Sequence, residues 1–320
     1  MMSAAAEDEV VQAPPQPPSP LPDEPFFAPA IVDGIDPLPP LKDPVSDLFS
    51  ALSTRMSDAV RSVRLPSSRL PPLPSLLLFG DSLTELGAFS AGPAGPGWVA
   101  LLRDSYAGVA DVFARGFSGY NSRAALHILP RVVSTLPATA PLRAALIFFG
   151  ANDACVDGRP QCVPLDDYIA NLRTLVDFLR AIRRTNPVVP VLIAPPPVQQ
   201  DRDDPEPERL AARTREYANA CVKLAKELEC PVVDVHAEIL KRVREEGGEL
   251  VDEQSALGKY LCDGLHLSKE GNAVVHEAVV DTLCRELPEM SPEKLSRPFP
   301  PWRELDFEDL TQSLGHSSLV

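Results

Sequence analysis

The chain of 320 residues lacks several features that mark large classes of protein. It carries 30 basic against 45 acidic residues, whereas a protein that binds nucleic acid needs a clustered basic surface, so no nucleic-acid partner is expected. No eighteen apolar residues run uninterrupted, which argues against a membrane span. The first residues lack the basic start and apolar block of a secretory signal. These absences predict a cytoplasmic protein.

The cysteine and glycine motifs of metal and cofactor sites are also missing. Six cysteines between residues 155 and 284 are too sparse for a disulfide scaffold, and no Cys or His pair has zinc-finger spacing. No G-x-G-x-x-G or phosphate-binding loop follows the first predicted strand, and the G-x-S-x-G elbow of α/β-hydrolases is absent. We therefore expect neither a metal nor a cofactor. Cys155 and Cys162 could close a small loop in an oxidising compartment, and that alternative stays open.

Proline is plentiful but unevenly placed, because 16 of the 36 prolines precede residue 75. Residues 1–42 combine proline clusters with scattered acids, a composition typical of a disordered arm. Within residues 43–74, apolar residues recur at helical spacing up to Val63, which predicts an amphipathic helix of about twenty residues before a proline-rich connector. The helix is expected either to pack on its own domain or to dock a partner or a membrane surface. Residues 1–64 would then be a partner-docking region.

From residue 75 onward, short apolar strands alternate with helical patterns. Nearly all strand residues are apolar, as expected for parallel strands covered on both faces. The alternation predicts one domain over residues 75–305, a three-layer α/β/α (flavodoxin-like) fold with a five-stranded parallel sheet, followed by a flexible tail over 306–320. The predicted strands are 76–79, 110–114, 144–149, 188–194 and 231–235. The clearest predicted helices are 98–106, 121–129, 166–184, 208–228, 236–246 and 268–285.

Polar residues gather after three of these strands, where open parallel sheets place their functional loops. The segments are Gly80-Asp81-Ser82-Leu83, Arg115-Gly116-Phe117-Ser118-Gly119-Tyr120-Asn121 and Gly150-Ala151-Asn152-Asp153, and Asp263-Gly264-Leu265-His266 precedes the last helix. Acyl transfer requires a hydroxyl nucleophile, an imidazole base, a carboxylate and several donors for an oxyanion. The four segments contain all of these groups.

Each role has a candidate residue. Ser82 is the predicted nucleophile and His266 its base, while Asp263, three residues before the histidine, can orient the ring. The backbone N–H groups of Ser82 and Gly119 and the side-chain amide of Asn152 are the predicted oxyanion hole.

Ordinary structural interpretations compete with these roles. A single Gly-Asp-Ser is usually a turn, and Asn152 could merely cap one. Asp81 or Asp153 could be taken for the acid of the triad, but Asp263 is preferred because its spacing to His266 is local and fixed.

Taken together, the four segments resemble the GDSL or SGNH hydrolases over residues 75–305. Within that family the chain is most similar to the isoamyl acetate-hydrolysing esterases, through 78–82, 116–121, 148–154 and Pro195-Pro196-Pro197. Two features depart from the pattern: Ser118 stands where glycine is expected, and 85–97 is rich in glycine and proline. The resemblance implies a serine esterase without cofactor that hydrolyses small carboxylic esters with short acyl chains through an acyl-enzyme.

Two alternatives remain. The same site could serve a carbohydrate deacetylase or a lysophospholipase, since one fold accepts many esters. From a different class, the chain could be a non-catalytic interaction module that uses its proline-rich arm.

Overall fold

The computed structural model of the protein describes residues 72–90, 95–137, 141–182, 187–200, 205–247 and 252–315. These residues belong to one unit, which spans 66–320. The predicted disordered arm and the predicted amphipathic helix lie outside the described residues. Within the described ranges, no helix is long and apolar enough to cross a membrane.

Five parallel strands form one sheet in the order β2-β1-β3-β4-β5. They are β1 (Ser75–Gly80), β2 (Asp111–Gly116), β3 (Leu142–Phe148), β4 (Val189–Ile193) and β5 (Val232–Val233). The predicted five-stranded parallel sheet is confirmed. Strand β5 is shorter than the predicted 231–235, because the next helix already begins at Val235. From β1 the chain moves to β2 on one side and then crosses to β3 on the other side, so the strand order switches beside β1. Such a switch point is where open α/β sheets bind ligands.

Helices connect the strands, and each of the six helices predicted after residue 75 has an observed counterpart. The helices are α1 (Ser82–Gly87), α2 (Trp98–Ser105), α3 (Ser122–Ser134), α4 (Leu165–Ala181), α5 (Ala211–Glu227), α6 (Val235–Gly247), α7 (Glu253–Ala256), α8 (Lys269–Glu286) and α9 (Leu310–Gly315). Helix α9 lies within the predicted tail, whose flexibility stays a prediction. Helices α1 and α7 were not predicted, because four to six residues are too few to show a helical period.

Helices cover both faces of the sheet, and alternate strand residues face opposite cores. In β1, Leu76 and Leu78 pack into a core shared with α2, α6 and α8. Leu77 and Phe79 pack into a second core, shared with α3, α4 and α5. Because successive side chains of a strand point to opposite faces of the sheet, one strand contributes side chains to both cores. This arrangement confirms the predicted three-layer α/β/α architecture.

Candidate active site

The loops that carry the predicted motifs leave the sheet at one edge. Gly80, the last residue of β1, pairs with Gly116 of β2 on one side and with Phe148 of β3 on the other. Two hydrogen bonds extend the strands past these ends: the N–H of Phe117 donates to the carbonyl of Gly80 at 2.9 Å, and that of Asp81 donates to the carbonyl of Phe148 at 3.3 Å. The three loops therefore begin side by side.

Ser82 is the first residue of α1, directly beyond the end of β1. Asp81 caps this helix, since its carboxylate accepts a hydrogen bond from the N–H of Leu83 at 2.9 Å. The Ser82 N–H lies in the first turn, where an α-helix offers no internal acceptor. The side-chain hydroxyl and a backbone donor of one residue are thus available at the same place.

Asp263 and His266 lie on one short loop before α8. Leu261 and Leu267 form an antiparallel bridge at its base, and the N–H of Cys262 donates to the carbonyl of His266 at 2.8 Å. Gly264 turns the loop with a φ of +84°, a backbone conformation that side chains with a Cβ rarely adopt. The loop conformation therefore brings the aspartate and the histidine together locally.

A continuous chain of hydrogen bonds joins the three predicted triad residues. The Nδ1 atom of His266 lies 2.7 Å from Oδ2 of Asp263, and Nε2 lies 2.9 Å from Oγ of Ser82. Partial burial opposes ionisation of Asp263, but hydrogen bonds from the His266 ring and from two backbone N–H groups outweigh it and lower the pKa of this carboxyl. An ionised Asp263 can only accept a hydrogen bond, so it favours the tautomer of His266 that carries its proton on Nδ1. The unprotonated Nε2 is then free to accept the hydroxyl proton of Ser82.

The other two acids considered for the triad have different partners. Asp153 accepts hydrogen bonds from the hydroxyl and the N–H of Ser122, at the start of α3. Asp81 binds the N–H of Leu83, and among the described residues its Oδ2 has no hydrogen-bond partner. Burial raises the pKa of Asp81 to about 7 and that of Asp153 to about 6. Neither carboxylate makes a hydrogen bond to His266 within the described structure.

Asn152 is linked to the loop that contains Gly119. Its Nδ2 donates to the carbonyl of Tyr120 at 2.8 Å, and within the described ranges the second N–H of that amide has no acceptor. Gly119 has a φ of +79°, which explains why glycine occupies this position. The Asn152 side chain is thereby held beside the backbone of the second predicted oxyanion-hole residue.

Three residues that the sequence did not indicate hold these loops. The Nε2 of Gln161 donates to the carbonyl of Gly119 at 2.8 Å, and Glu85 accepts from the N–H of Ser118 at 2.6 Å. Arg209 donates to Oδ1 of Asn152 at 2.9 Å. These partners lie 33 to 57 residues apart in the chain, so no local motif contains them.

A cavity of about 780 Å³ opens beside His266. Its lining includes the apolar side chains of Leu83, Leu86, Phe89 and Leu267. Within the described ranges no cluster of His, Cys, Asp and Glu has the arrangement of a metal site.

The thiols of Cys155 and Cys162 are both free. Each has a polar neighbour instead of a disulfide: the Cys155 sulfur lies 3.8 Å from Oε1 of Gln161, and the Cys162 sulfur 3.6 Å from Oδ1 of Asp157. The bridge that the sequence left open is not formed in this structure.

Comparison with known proteins identifies the family to which this chain belongs. Residues 78–274, more than half of the chain, match the model of the GDSL-like lipase/acylhydrolase family. A GDSL esterase/lipase of Arabidopsis thaliana is 38% identical over 73% of this chain and 94% of its own length. The isoamyl acetate-hydrolyzing esterase of Saccharomyces cerevisiae is 34% identical over 72% of this chain and 94% of its own length.

A mouse relative is also similar in sequence, and a solved structure shares the fold. The isoamyl acetate-hydrolyzing esterase 1 homolog of Mus musculus is 41% identical over 62% of this chain and 77% of its own length. An acetylxylan esterase from Geobacillus stearothermophilus, with 22% identity, shares the fold with a TM-score of 0.50 over 68% of this chain and 96% of that one. The chain therefore belongs to the GDSL-like lipase/acylhydrolase family and is a carboxylic ester hydrolase.

Proposed function

We propose that the protein hydrolyses small carboxylic esters with short acyl chains through an acyl-enzyme formed on Ser82. The observation that carries the proposal is the unbroken chain of hydrogen bonds from Asp263 through His266 to the Ser82 hydroxyl. A serine hydroxyl is a weak nucleophile until a base takes its proton, and the 2.9 Å contact with Nε2 supplies that base.

Acylation begins when Ser82 attacks the ester carbonyl carbon. The Oγ atom forms a bond to that carbon while its proton passes to Nε2 of His266, and the electron pair of the carbonyl double bond moves onto the carbonyl oxygen. Asp263 stabilises the imidazolium that results, because its carboxylate lies 2.7 Å from Nδ1. The tetrahedral intermediate then expels the alcohol, which takes the proton from Nε2.

The charge on the carbonyl oxygen needs donors that are in place before the reaction. The Ser82 N–H, the Gly119 N–H and the free N–H of the Asn152 amide are the candidates, as they border the ends of β1, β2 and β3. Donors that are already ordered stabilise the developing charge without reorganising, which makes this contribution large.

Deacylation repeats the same steps with water in place of the alcohol. His266 takes a proton from the water while the water oxygen attacks the acyl carbon. When the second tetrahedral intermediate collapses, the bond from the acyl carbon to Oγ of Ser82 breaks and His266 returns the proton to Oγ. The acid product leaves, and the free hydroxyl is restored. No group beyond the side chains and water enters this balance.

Two observations support a short acyl group. Relatives that share 34–41% identity are named for isoamyl acetate hydrolysis. The cavity beside His266 is lined by apolar side chains such as Leu83 and Leu267, which suit the hydrocarbon part of a small ester. Carbohydrate deacetylation and lysophospholipid hydrolysis remain alternatives that a substrate panel tests.

A labelling experiment tests the mechanism, and a substrate panel tests the specificity. A fluorophosphonate should label the parent enzyme and the control Ser134→Ala, which alters an exposed serine on α3, but not Ser82→Ala. On p-nitrophenyl esters, kcat/KM should be highest from acetate to about hexanoate. Labelling of Ser82→Ala would refute the nucleophile. Faster hydrolysis of palmitate than of acetate would refute the short-acyl specificity.

A further inference from the structure

We propose that Arg209 is a positioning residue that holds the Asn152 amide so that its second N–H, the one not bound to Tyr120, is directed at the oxyanion. This inference rests on the proposed function, because Arg209 acts through the part that Asn152 plays there. The side chain of Arg209 is 13% exposed, so its guanidinium is held within the protein beside the loop that follows β3.

Two hydrogen bonds from one guanidinium fix this loop. Its Nε donates to the carbonyl of Ala151 at 3.0 Å, and one terminal nitrogen donates to Oδ1 of Asn152 at 2.9 Å. One acceptor is main chain and the other is side chain, and they belong to neighbouring residues. The planar fork of arginine therefore sets the orientation of the amide relative to its own backbone.

The partners on the two sides of the amide permit only one orientation. Arginine donates hydrogen bonds and cannot accept them, so it requires Oδ1, while the carbonyl of Tyr120 accepts and requires Nδ2 at 2.8 Å. A rotation of the Asn152 amide by 180° would place donor against donor and acceptor against acceptor. It would also turn Oδ1 toward the place where the second N–H now points.

The charge of Arg209 adds to this effect. A cation bound to Oδ1 draws electron density from the amide and makes its N–H groups stronger donors. This charge also reaches Asp81, the residue before the nucleophile. Burial raises the pKa of Asp81 to about 7, and the positive charge of Arg209 acts in the opposite direction. Both effects favour negative charge near Ser82.

The backbone around Arg209 has its own contacts, so the side chain can be removed without detaching the segment. Arg209 and Cys155 form an antiparallel bridge, and the N–H of Val156 donates to the carbonyl of Glu208 at 2.9 Å. We therefore expect Arg209→Met to fold. The control is Arg213→Met in α5, which removes another arginine of low exposure, bound to Asp157 at 2.9 Å and not to Asn152.

Steady-state kinetics on p-nitrophenyl acetate, with active sites counted by fluorophosphonate, measure the role. Arg209→Met should lower kcat by about tenfold to 100-fold with KM within about threefold, less than the loss of a donor itself. The kcat of Arg209→Lys should lie between those of the parent and Arg209→Met, because an ammonium keeps the charge but cannot replace the planar guanidinium. Arg213→Met should keep kcat within about twofold of the parent.

A double-mutant cycle separates positioning from general loss of structure. In the Asn152→Ala background, Arg209→Met should reduce kcat by no more than about twofold further, since its target is gone. If the two losses multiply, or Arg209→Met leaves kcat unchanged while Asn152→Ala lowers it, the inference is wrong and the proposed function stands. If Asn152→Ala itself keeps full kcat, the proposed oxyanion role fails as well. Arg209→Lys supplies the same cycle if Arg209→Met does not fold.

Discussion

Asp263 binds His266 through both of its carboxylate oxygens. Oδ2 lies 2.7 Å from Nδ1 of the ring, and Oδ1 accepts the backbone N–H of the same histidine, also at 2.7 Å. One side chain thus fixes the main chain and the ring of its partner. A change at Asp263 should therefore alter both the tautomer and the position of the imidazole.

Asp263→Asn should reduce turnover by about 10⁴-fold, because an amide that donates to Nδ1 stabilises the wrong imidazole tautomer. The matched control is Asp153→Asn, which alters a buried carboxylate bound to Ser122. The control should be less stable but should lose much less turnover per folded molecule. Comparable damage at Asp153, with a mild effect at Asp263, would move the acid of the triad. The measurement is kcat normalised to folded protein.

Ser82→Ala and His266→Ala should each lower kcat by several orders of magnitude, and the double variant should be scarcely worse than either. Nucleophile and base act as one unit through the 2.9 Å contact, so removing one makes the other useless. The check is a kinetic cycle of the parent, the two single variants and the double variant. Losses that multiply would show that the two residues act independently.

Asn152→Ala should lower kcat by about 10² to 10³-fold with KM nearly constant, since an oxyanion donor acts more strongly in the transition state than in the bound substrate. Asn152→Asp should be worse, because it places a carboxylate where negative charge develops. If Asn152 only caps a turn, its loss should instead cost about 1 kcal/mol of stability and leave turnover intact. Measuring Tm and kcat on the same alanine variant distinguishes the two roles.

Gly119→Ala should lower kcat, because a residue with a Cβ resists the φ of +79° and displaces the N–H proposed to bind the oxyanion. The new Cβ would also lie 3.3 Å from Nε2 of Gln161. Gly158→Ala is the control, as Gly158 has a φ of +89° but open space around it. Both variants should lose about 1 kcal/mol of stability, and only the first should lose turnover. Equal kcat in both would argue against the Gly119 donor.

Asp81→Asn should gain stability relative to the parent as the pH rises. Folded Asp81 keeps its proton up to a pKa of about 7, whereas the unfolded chain releases it near 3.8, so between these values the folded state binds more protons. The free energy of unfolding contributed by Asp81 therefore falls as the pH rises through this range. Asparagine stays neutral and can still cap α1 through its side-chain oxygen.

The measurement is the difference in Tm between Asp81→Asn and the parent at about pH 5 and at about pH 8. The difference should grow by several degrees, because about 1 kcal/mol shifts Tm by about 2–4 °C in a domain of this size. Asp166→Asn, at an exposed position of α4, is measured alongside as the control for an Asp→Asn change outside the core. A pH-independent result at Asp81 would show that this carboxyl does not titrate differently in the folded and unfolded states.

The sequence predicted those features whose cause lies within a few residues. Apolar runs such as 76–79 are strands because both faces are buried, and the three-residue spacing of Asp263 and His266 is a property of one loop. Arg209 could not be found in this way, since its acceptor lies 57 residues earlier and an arginine between Glu208 and Leu210 has the pattern of a solvated surface. Such long-range partners depend on how the loops pack, which no local period encodes.

The loop that the Leu261–Leu267 bridge closes contains one of the two triad contacts, and the two contacts differ greatly in sequence separation. The Asp263–His266 contact closes over three residues, whereas the Ser82–His266 contact closes over 184. Loop-closure entropy makes the first contact easy to form and the second dependent on the completed sheet and on helix α8, which follows the His266 loop. During refolding, esterase activity should therefore return together with global tertiary structure, and an enzymatic assay would report the last long-range docking step.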